Sequence, residues 1–402
     1  MADEQLAFDL TLDAAPVDVF YAFATAQGWR NWMCDSARFE PRAGGSYQLA
    51  WSSGWFTSGS VKKIIPGAGL ELTWRGKDDA GMTEVSINLE AHNGGTKLSI
   101  LHQGFGESEA GNNALQEARK GWEMGLENLE SIFDDGKDLR FIRRPLLGIF
   151  INDFDEKIAN ELGVPVSQGV RIDSPVEGLG ADKAGLQTDD VIVEMNGVPI
   201  AGFADMRAVL DGQYAGDVVP VVAYRRGEKR SFAMELSGRT TVEVPLDPAA
   251  IADQLRDVYS TVVNDLRAMF DGVSEEEAGM APAPDEWSAK DVLAHFIDSE
   301  TYTHVQITDY FYDGNREFAD NAGNVHERIH AIVDTTPTIE ALLDRFALCK
   351  EETLAILMRA EKLKARKGVL WRLGQSLLQD PDVHERNHMD QIQAALDAAK
   401  GK

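Results

Sequence analysis

The chain opens with alternating apolar and polar positions. In "LAFDLTL", Leu6, Phe8, Leu10 and Leu12 fall on one face, as in a half-buried β-strand. "APVDVFYAFAT" follows with helical spacing and places Pro16 in the first helical turn. Further strand-like runs are separated by Gly and Pro, and "VSINLEAHNGGTKLSIL" is typical of a hairpin with an Asn-Gly-Gly turn. These patterns predict an antiparallel sheet.

A long amphipathic helix closes this first segment, which ends near Asp138. Its apolar stripe consists of Leu115, Ala118, Trp122, Leu126, Leu129 and Phe133. A helix laid across a curved antiparallel sheet often encloses a cavity. We therefore expect a ligand cavity on the order of a few hundred Å³, lined by Trp51, Trp74 and Trp122. The alternative is that these aromatic side chains simply fill the core.

The first segment resembles the START-like (SRPBCC) superfamily and, within it, the activator of heat-shock-protein ATPase homologue family. The resemblance rests on "APVDVFYAFAT", Trp32, "RAGGSYQLAW", "GGTKLSILHQGF" and "GWEMGLENLESIF". It implies an α+β helix-grip domain over residues 1–138, with a small apolar ligand held between helix and sheet and no fixed catalytic set. A co-chaperone role is suggested by the family name alone.

The second segment, from about Phe141 to Gly238, alternates short strands with Gly and Pro turns around two short helices. It resembles a PDZ domain of the bacterial HtrA type. The motifs are "SP", "KAGL", "DDVIVEMNG" and "LLGI", the last matching the carboxylate-binding loop. Two features depart from the family pattern: the inserted "VEGLG", and Asp189 where Gly is common.

This resemblance implies a mainly-β PDZ domain over residues 141–239 that binds a protein C-terminus. The backbone amides of Leu147, Gly148 and Ile149 would take the carboxylate, and Met206 and Leu210 would line the side-chain pocket. The alternative is a PDZ domain that only bridges its neighbours. HtrA proteins also carry a serine protease, but the chain has no GNSGG-like nucleophile loop, so protease activity is not implied.

The third segment, residues 245–402, is predicted to be an all-α four-helix bundle. Its amphipathic runs are "DPAAIADQLRDVYSTVVNDLRAMF", "SAKDVLAHFIDSETYTHVQITDYF", "TIEALLDRFALCKEETLAILMRA" and "DVHERNHMDQIQAALDAA". Ser288 with Asp291 three positions later forms a capping-box pattern at the start of the second helix. The pair Asp380-Pro381 either starts the last helix or kinks it.

Two HExxH patterns occur in this segment, at His326–His330 and at His384–His388. On a helix, two imidazoles four residues apart share a face, and in zincin proteases the intervening Glu is the general base. A zincin also needs a third ligand downstream. The tail after His388, "MDQIQAALDAAKGK", has no His and no Glu. Glu351 follows the other copy at a suitable spacing, but "DTTPT" intervenes. A zincin is therefore the less favoured hypothesis.

His295 offers a better third ligand for the second copy. It lies on an inward stripe of the predicted second helix, where a lone His is more often a hydrogen-bonded core residue. Facing His384 and His388 across a bundle, it would complete a three-imidazole site that suits a divalent Zn, Ni, Mn or Fe ion. The ligand nitrogens should then lie within about 3–4 Å of one another.

The third segment resembles the DinB/YfiT-like family, through "DEWSAKDVLAHFIDSE" and "HERNHMDQI". That family commonly binds a divalent metal through one His of the second helix and an HxxxH pair on the last helix. The resemblance implies His295, His384 and His388 as ligands, with Glu385 pointing off the metal face and "HERIH" as a solvated helix. It also implies thiol-dependent transferase or hydrolase chemistry, with a low-molecular-weight thiol as partner. The alternative is a non-enzymatic scaffold or sensor that recruits partners through the PDZ domain.

Composition narrows the set of partners and compartments. The net charge of −27 repels nucleic acid and anionic lipid, so we expect no contact with either. Cys34 and Cys349 are the only cysteines and read as small buried hydrophobes. The N-terminus "MADEQLAFDL" lacks the pattern of a secretory signal, and a cytoplasmic protein is expected.

Overall fold

A computed structural model describes residues 5–79, 81–210, 212–284, 286–311 and 325–401. The chain separates into two compact units. One combines residues 1–137 with 242–402, and the other comprises residues 138–241. The predicted segment boundaries that fall on residues 1 and 402 lie outside the described residues.

The N-terminal part of the first unit is an antiparallel seven-stranded sheet. Its spatial order is β1-β7-β6-β5-β4-β3-β2. Asn93 and Gly94 have positive φ angles of 49° and 88°, which a tight hairpin turn between β6 and β7 requires. The strands are β1 Leu6–Leu12, β2 Ser36–Phe39, β3 Ser46–Ala50, β4 Phe56–Ile65, β5 Gly69–Gly76, β6 Thr83–His92 and β7 Gly95–Gln103.

Three helices accompany this sheet: α1 Pro16–Ala24, α2 Ala26–Trp32 and α3 Glu109–Asp135. The Ser108 side chain caps the start of α3 by accepting from the Gly111 amide, and Gly136 ends the helix with φ 75°. The predicted stripe of α3 is confirmed. Leu115, Trp122, Leu126 and Leu129 are buried in the sheet core, and Ala118 and Phe133 pack against it. The α+β helix-grip expectation is therefore correct.

The second unit is rich in sheet, with the spatial order β13-β12-β10-β9-β8 and β11 paired to β10. Asp189 adopts φ 68°, which explains why Gly is common there, and its carboxylate binds Arg171. The elements are α4 Leu139–Ile142, β8 Ile149–Asn152, α5 Glu156–Leu162, β9 Val170–Pro175, α6 Gly180–Lys183, β10 Val191–Met195, β11 Val198–Pro199, α7 Phe203–Leu210, β12 Val218–Arg225 and β13 Glu228–Glu235.

The C-terminal part of the first unit is helical. Helices α8, α12, α10 and α14 contact one another in that cyclic order and form the bundle. Ser288 and Asp291 form the predicted capping box of α10. The helices are α8 Pro248–Met269, α9 Glu275–Ala278, α10 Ala289–Asp309, α11 His326–Thr335, α12 Ile339–Met358, α13 Lys367–Leu378 and α14 Val383–Ala399, with a 3₁₀ turn at Glu361–Ala365.

Helix α13 was not expected from the sequence, and it joins the two parts of the first unit. Its Lys367 ammonium donates to the carbonyl of Phe133, 2.7 Å away, at the C-terminal end of α3. Gly368 lies against Ile132, where a Cβ would come within 2.8 Å of the Ile132 side chain. Asp380 and Pro381 lie between α13 and α14, so they precede the last helix and do not kink it. No helix in the described ranges is long and apolar enough to cross a membrane.

Candidate metal centre and peptide groove

Three histidines meet at one end of the bundle. His295 comes from α10, and His384 and His388 lie one turn apart on α14. One ligand nitrogen of each lies within 4.8 Å of the others. The Nε2 atoms of His295 and His384 are 2.9 Å apart. The structure thus brings the three predicted ligands together.

Burial favours the neutral form of His295 and His384. Burial and the neighbouring charges of His384 and His388 lower the pKa of His295 to about 4. Burial also lowers the pKa of His384, with Glu385 acting in the opposite direction. Neutral imidazoles are the form that binds metals. Two lone pairs would repel at 2.9 Å, so in the absence of a metal one of these two Nε2 atoms carries a proton and donates it to the other.

Neighbouring groups orient the cluster. The Nδ1 atom of His388 lies 2.7 Å from the side-chain oxygen of Gln391. Because that oxygen accepts, Nδ1 carries the proton and the Nε2 lone pair is available. The Trp287 ring lies 5.0 Å from that of His295 and stacks at 6.4 Å on His388.

A buried ionic network adjoins the histidines. The Lys350 ammonium lies 2.8 Å from Glu300 and 2.7 Å from Glu385, and all three side chains are at most 7% exposed. It also lies 4.2 Å from the centre of the Tyr259 ring. Thr353 donates to Glu300. Burial alone would lower the pKa of Lys350, but Glu300 and Glu385 outweigh it and raise the pKa.

The sequence reading missed this network. The only sequence feature that indicates such a network is the occurrence of charged residues at inward helical positions. For Glu385, the resemblance implied only that it points off the metal face. Glu385 does lie outside the three-imidazole group, but it is 3% exposed and ion-paired.

The other HExxH copy has different surroundings. His326 and His330 on α11 are exposed, as are Glu327 and Arg328 between them. The two rings are 6.3 Å apart. Neither His belongs to the three-imidazole group, although the Trp287 indole nitrogen lies 3.5 Å from Nδ1 of His326. The predicted solvated helix agrees with these exposures.

The second unit presents a strand edge beside a glycine loop. β8 ends the strand order, so its outer edge has no strand partner among the residues described. Phe150, on β8, is 62% exposed. Within the described ranges, the amide nitrogens of Leu147 and Gly148 donate no hydrogen bond. Met206 on α7 is buried in the core of this unit and Leu210 packs against that core.

In the N-terminal sheet, Trp74 and Trp122 are buried and their rings are 5.5 Å apart. Trp51 is only half-buried and packs edge-on against Trp55 at 4.8 Å. The third predicted lining residue therefore makes its ring contact away from the other two. His102 is fully buried here; its Nε2 lies 2.7 Å from the Thr83 hydroxyl and its Nδ1 accepts from Trp122. Burial lowers the pKa of His102 to about 3.

Comparisons with known proteins give the same three segments. Residues 13–134 match the family model "Activator of Hsp90 ATPase homolog 1-like protein". Residues 143–223 match the PDZ domain, and residues 259–392 match the DinB superfamily. The dimeric Aha1 of Colwellia psychrerythraea is a similar solved structure, with 19% identity over 33% of this chain and 98% of that chain, at a TM-score of 0.30.

Curated relatives are similar over part of their own length. A probable periplasmic DegP-like serine endoprotease of Marinomonas sp. is 28% identical over 33% of this chain and 27% of its own length. The periplasmic pH-dependent serine endoprotease DegQ of Escherichia coli is 27% identical over 50% of this chain and 45% of its own length. The chain thus spans less than half the length of either relative. It carries, in order, an Hsp90-ATPase-activator-like module, a PDZ domain and a DinB superfamily module.

Proposed function

We propose that the DinB module binds one divalent metal ion through His295, His384 and His388, and that this metal centre is the site of its chemistry. The observation that carries the proposal is the convergence of three ligand nitrogens within 4.8 Å. Three nitrogen ligands leave coordination positions open to substrate, and this donor set suits Zn, Ni, Mn or Fe. Such an ion lowers the pKa of a bound water or thiol and polarises a carbonyl.

The chain's own residues prepare that site. The side-chain oxygen of Gln391 accepts a hydrogen bond from Nδ1 of His388, so the proton of this imidazole is held on Nδ1. The lone pair on Nε2 is then available to bind a metal. Trp287 and Phe296 flank the imidazoles with apolar rings and reduce the access of water. Together with the DinB likeness, this supports a thiol-dependent transferase or hydrolase reaction that uses a low-molecular-weight thiol.

Metal analysis tests the proposal directly. After dialysis against Zn²⁺ and removal of free ion, the full chain should retain about one ion per chain, as a single three-imidazole donor set requires. The His295→Ala variant should retain none while keeping its helical content by circular dichroism. Retention of Zn²⁺ by that variant, or failure of the wild-type chain to bind Zn²⁺, Ni²⁺, Mn²⁺ or Fe²⁺, would reject the site.

A second activity rests on a separate observation, the open edge of β8 beside the free amides of Leu147 and Gly148. We infer that the PDZ domain binds a protein C-terminus, with the peptide added as a strand to β8 and its carboxylate held by the amides of Leu147, Gly148 and Ile149. Met206 and Leu210 would then border the pocket for the last side chain. In this reading the chain recruits partner proteins whether or not the bundle is an enzyme.

Peptides that differ only in their last group test this inference. A peptide ending in an apolar residue with a free carboxylate should bind at least tenfold more tightly than its C-terminal amide, because only the carboxylate uses the loop amides. Gly148→Ala should weaken binding, since its Cβ would lie 2.4 Å from Leu179 and its φ is 74°. Gly163→Ala, with φ 66° and open space, is the matched control. Equal affinity for both peptides contradicts the inference.

We propose that the Hsp90-ATPase-activator-like module holds a small apolar ligand near Trp74 and Trp122. We also propose that the three modules extend over residues 1–138, 141–239 and 245–402. A reducing cytoplasm suits the two buried cysteines, neither of which forms a disulfide, although the named relatives are periplasmic.

A further inference from the structure

The ionic network around Lys350 draws one residue from each bundle helix. Tyr259 belongs to α8, Glu300 to α10, Lys350 to α12 and Glu385 to α14. The ammonium binds both carboxylates at 2.7–2.8 Å and is only 6% exposed. A buried group of this kind contributes little net stability compared with apolar packing, but it favours one arrangement of the helices over others. Because the network lies beside the metal ligands, the helix arrangement that it favours also affects how those ligands are placed.

Two helices carry both a metal ligand and a member of the network. On α10, His295 and Glu300 are five residues apart, which is about 7.5 Å along the helix axis. On α14, His384 and Glu385 are adjacent, so their side chains diverge by about 100° around the axis. The α10–α14 pair is therefore held at two points, by the His295–His384 contact and by the bridge from Glu300 through Lys350 to Glu385.

Rotation of α14 about its axis would break the bridge and the imidazole contact together. If Glu385 turned towards solvent, His384 and His388 would turn away from His295. The contact between two neutral imidazoles is the weaker of the two clamps, because the ion pairs are charge-assisted and buried. Glu300 is itself fixed, since Thr353 donates to it and His304 lies 2.9 Å from the Thr353 hydroxyl.

We propose that Glu385 and Lys350 are positioning residues for the metal centre: their ion pair sets the rotation of α14 that aims His384 and His388 at His295. This inference rests on the proposed metal function for its purpose, but the geometry it predicts exists without metal. The Glu of this HExxH pattern thereby acts through helix position and takes no part as a general base.

Substitution of Glu385 tests the proposal in the full chain. Glu385→Met removes the bridge and leaves Lys350 paired with Glu300, so no buried charge is unpaired. Glu385→Gln keeps an oxygen that accepts from the ammonium. With Co²⁺ as the probe, followed by its visible absorption, Glu385→Met should bind at least tenfold more weakly than wild type, the usual range for groups that orient metal ligands. Glu385→Gln should stay within about threefold and keep the wild-type spectrum.

The control uses another buried lysine of the bundle. Lys290 pairs with Glu275 at 2.6 Å, and no α14 residue takes part in that pair. The Co²⁺ affinity of Glu275→Met should therefore stay within about threefold of wild type, because this pair does not position His384 or His388. Full affinity in Glu385→Met, or equal losses in Glu385→Gln and Glu385→Met, would overturn the proposal.

Crystal structures of the metal-free variants separate this inference from the proposed function. The Nε2 atoms of His295 and His384 should stay near 2.9 Å in Glu385→Gln and move apart in Glu385→Met. A wild-type chain that binds no Co²⁺ would reject the metal function, and the crystallographic separation would then decide positioning by itself. If Glu385→Met does not fold, the triple variant Lys350→Met, Glu300→Gln, Glu385→Gln removes the ammonium and leaves no buried charge unpaired. Its Co²⁺ affinity and its separation between the Nε2 atoms of His295 and His384 should then change as expected for Glu385→Met.

Discussion

The bundle contains the same five-residue pattern twice, and the two copies have different surroundings. On α14, the rings of His384 and His388 are 5.0 Å apart and each lies 4.9 Å from the ring of His295. On α11, His326 and His330 have the same spacing in sequence, but both are exposed and their rings are 6.3 Å apart. Helical spacing places two imidazoles on one face, and only a third imidazole on a facing helix completes a cluster.

The glutamates of the two copies differ as sharply. Glu385 is 3% exposed and bound to Lys350, whereas Glu327 is exposed. A zincin needs this Glu next to the metal as a base. In α14 the Glu385 side chain is engaged in an ion pair within the bundle. The sequence therefore matches the zincin motif, but the glutamate is not placed as a zincin's general base. The residues on the facing helix therefore indicate a metal site more reliably than the HExxH motif itself.

The largest expected effect is the loss of Zn²⁺ binding when one histidine of the α14 copy is removed, compared with the same change in the α11 copy. His384→Ala should abolish Zn²⁺ binding, because the two remaining imidazoles fall short of the three protein ligands that hold a catalytic zinc ion. His326→Ala should bind Zn²⁺ like wild type. Isothermal titration of both variants provides the measurement. Loss of binding in His326→Ala would move the site to α11 and reverse the comparison.

Acid should destabilise the α14 site before metal is added. The pKa of His295 is lowered to about 4 by burial and by His384 and His388, while an unfolded chain titrates near 6.5. The neutral imidazole's contribution is thus complete above pH 6.5 and is lost as the pH falls from 6.5 towards 4. We expect a loss of about 2 kcal/mol in local stability, discounted for solvent screening.

Hydrogen exchange of α10 and α14 peptides in the metal-free chain, at pH values across this window, measures that loss. His295→Asn should show a smaller decline, and His326→Asn should decline like wild type because its side chain is exposed. A decline of equal size in wild type and His295→Asn would contradict the assignment of the effect to His295.

The orienting contact of His388 should have a moderate effect. Gln391→Ala removes the acceptor at Nδ1 and should weaken Zn²⁺ binding about tenfold. Gln393→Ala is the matched control on the same helix, because Gln393 is exposed and bonds only to Asp397 among the contacts described. Competition with a chromophoric chelator measures both affinities. Equal affinities for the two variants would show that His388 needs no orienting partner.

The smallest effect concerns Trp287, which contacts both copies. Its indole nitrogen lies 3.5 Å from His326, a distance too long for a strong hydrogen bond. Trp287→Phe keeps an aromatic ring beside His295 and His388 and should change Co²⁺ affinity by no more than about threefold. A tenfold loss would mean that α11 is coupled to the metal site through this ring.

Much of the fold could be predicted because local signals agreed with one another. Alternation identified β1, the Asn-Gly-Gly run identified the β6–β7 hairpin, and Asp247-Pro248 and Ser288 marked the starts of α8 and α10. The stripe of α3 predicted its buried face. These features depend on residues a few positions apart, so their physical causes are visible in the sequence.

Other features depended on distant partners and were missed. Helix α13 has "KGVLWRLGQSLL" as its sequence, and its packing against α3 uses a contact between Gly368 and Ile132 that no local pattern indicates. The same holds for Lys350, which looks like a surface residue until Glu300 and Glu385 are placed beside it. A buried lysine is stable only with partners, and those partners lie 50 and 35 positions away.

The sequence by itself determined the three modules, the capped helices and the pair of imidazoles on α14, since all of these follow from spacing along the chain. Tertiary structure alone decided which HExxH copy meets His295, which partner binds Glu385, and how far burial lowers the pKa of His295. The reason is physical: ligand convergence and desolvation depend on distances between helices, and those distances are set by packing across the whole bundle.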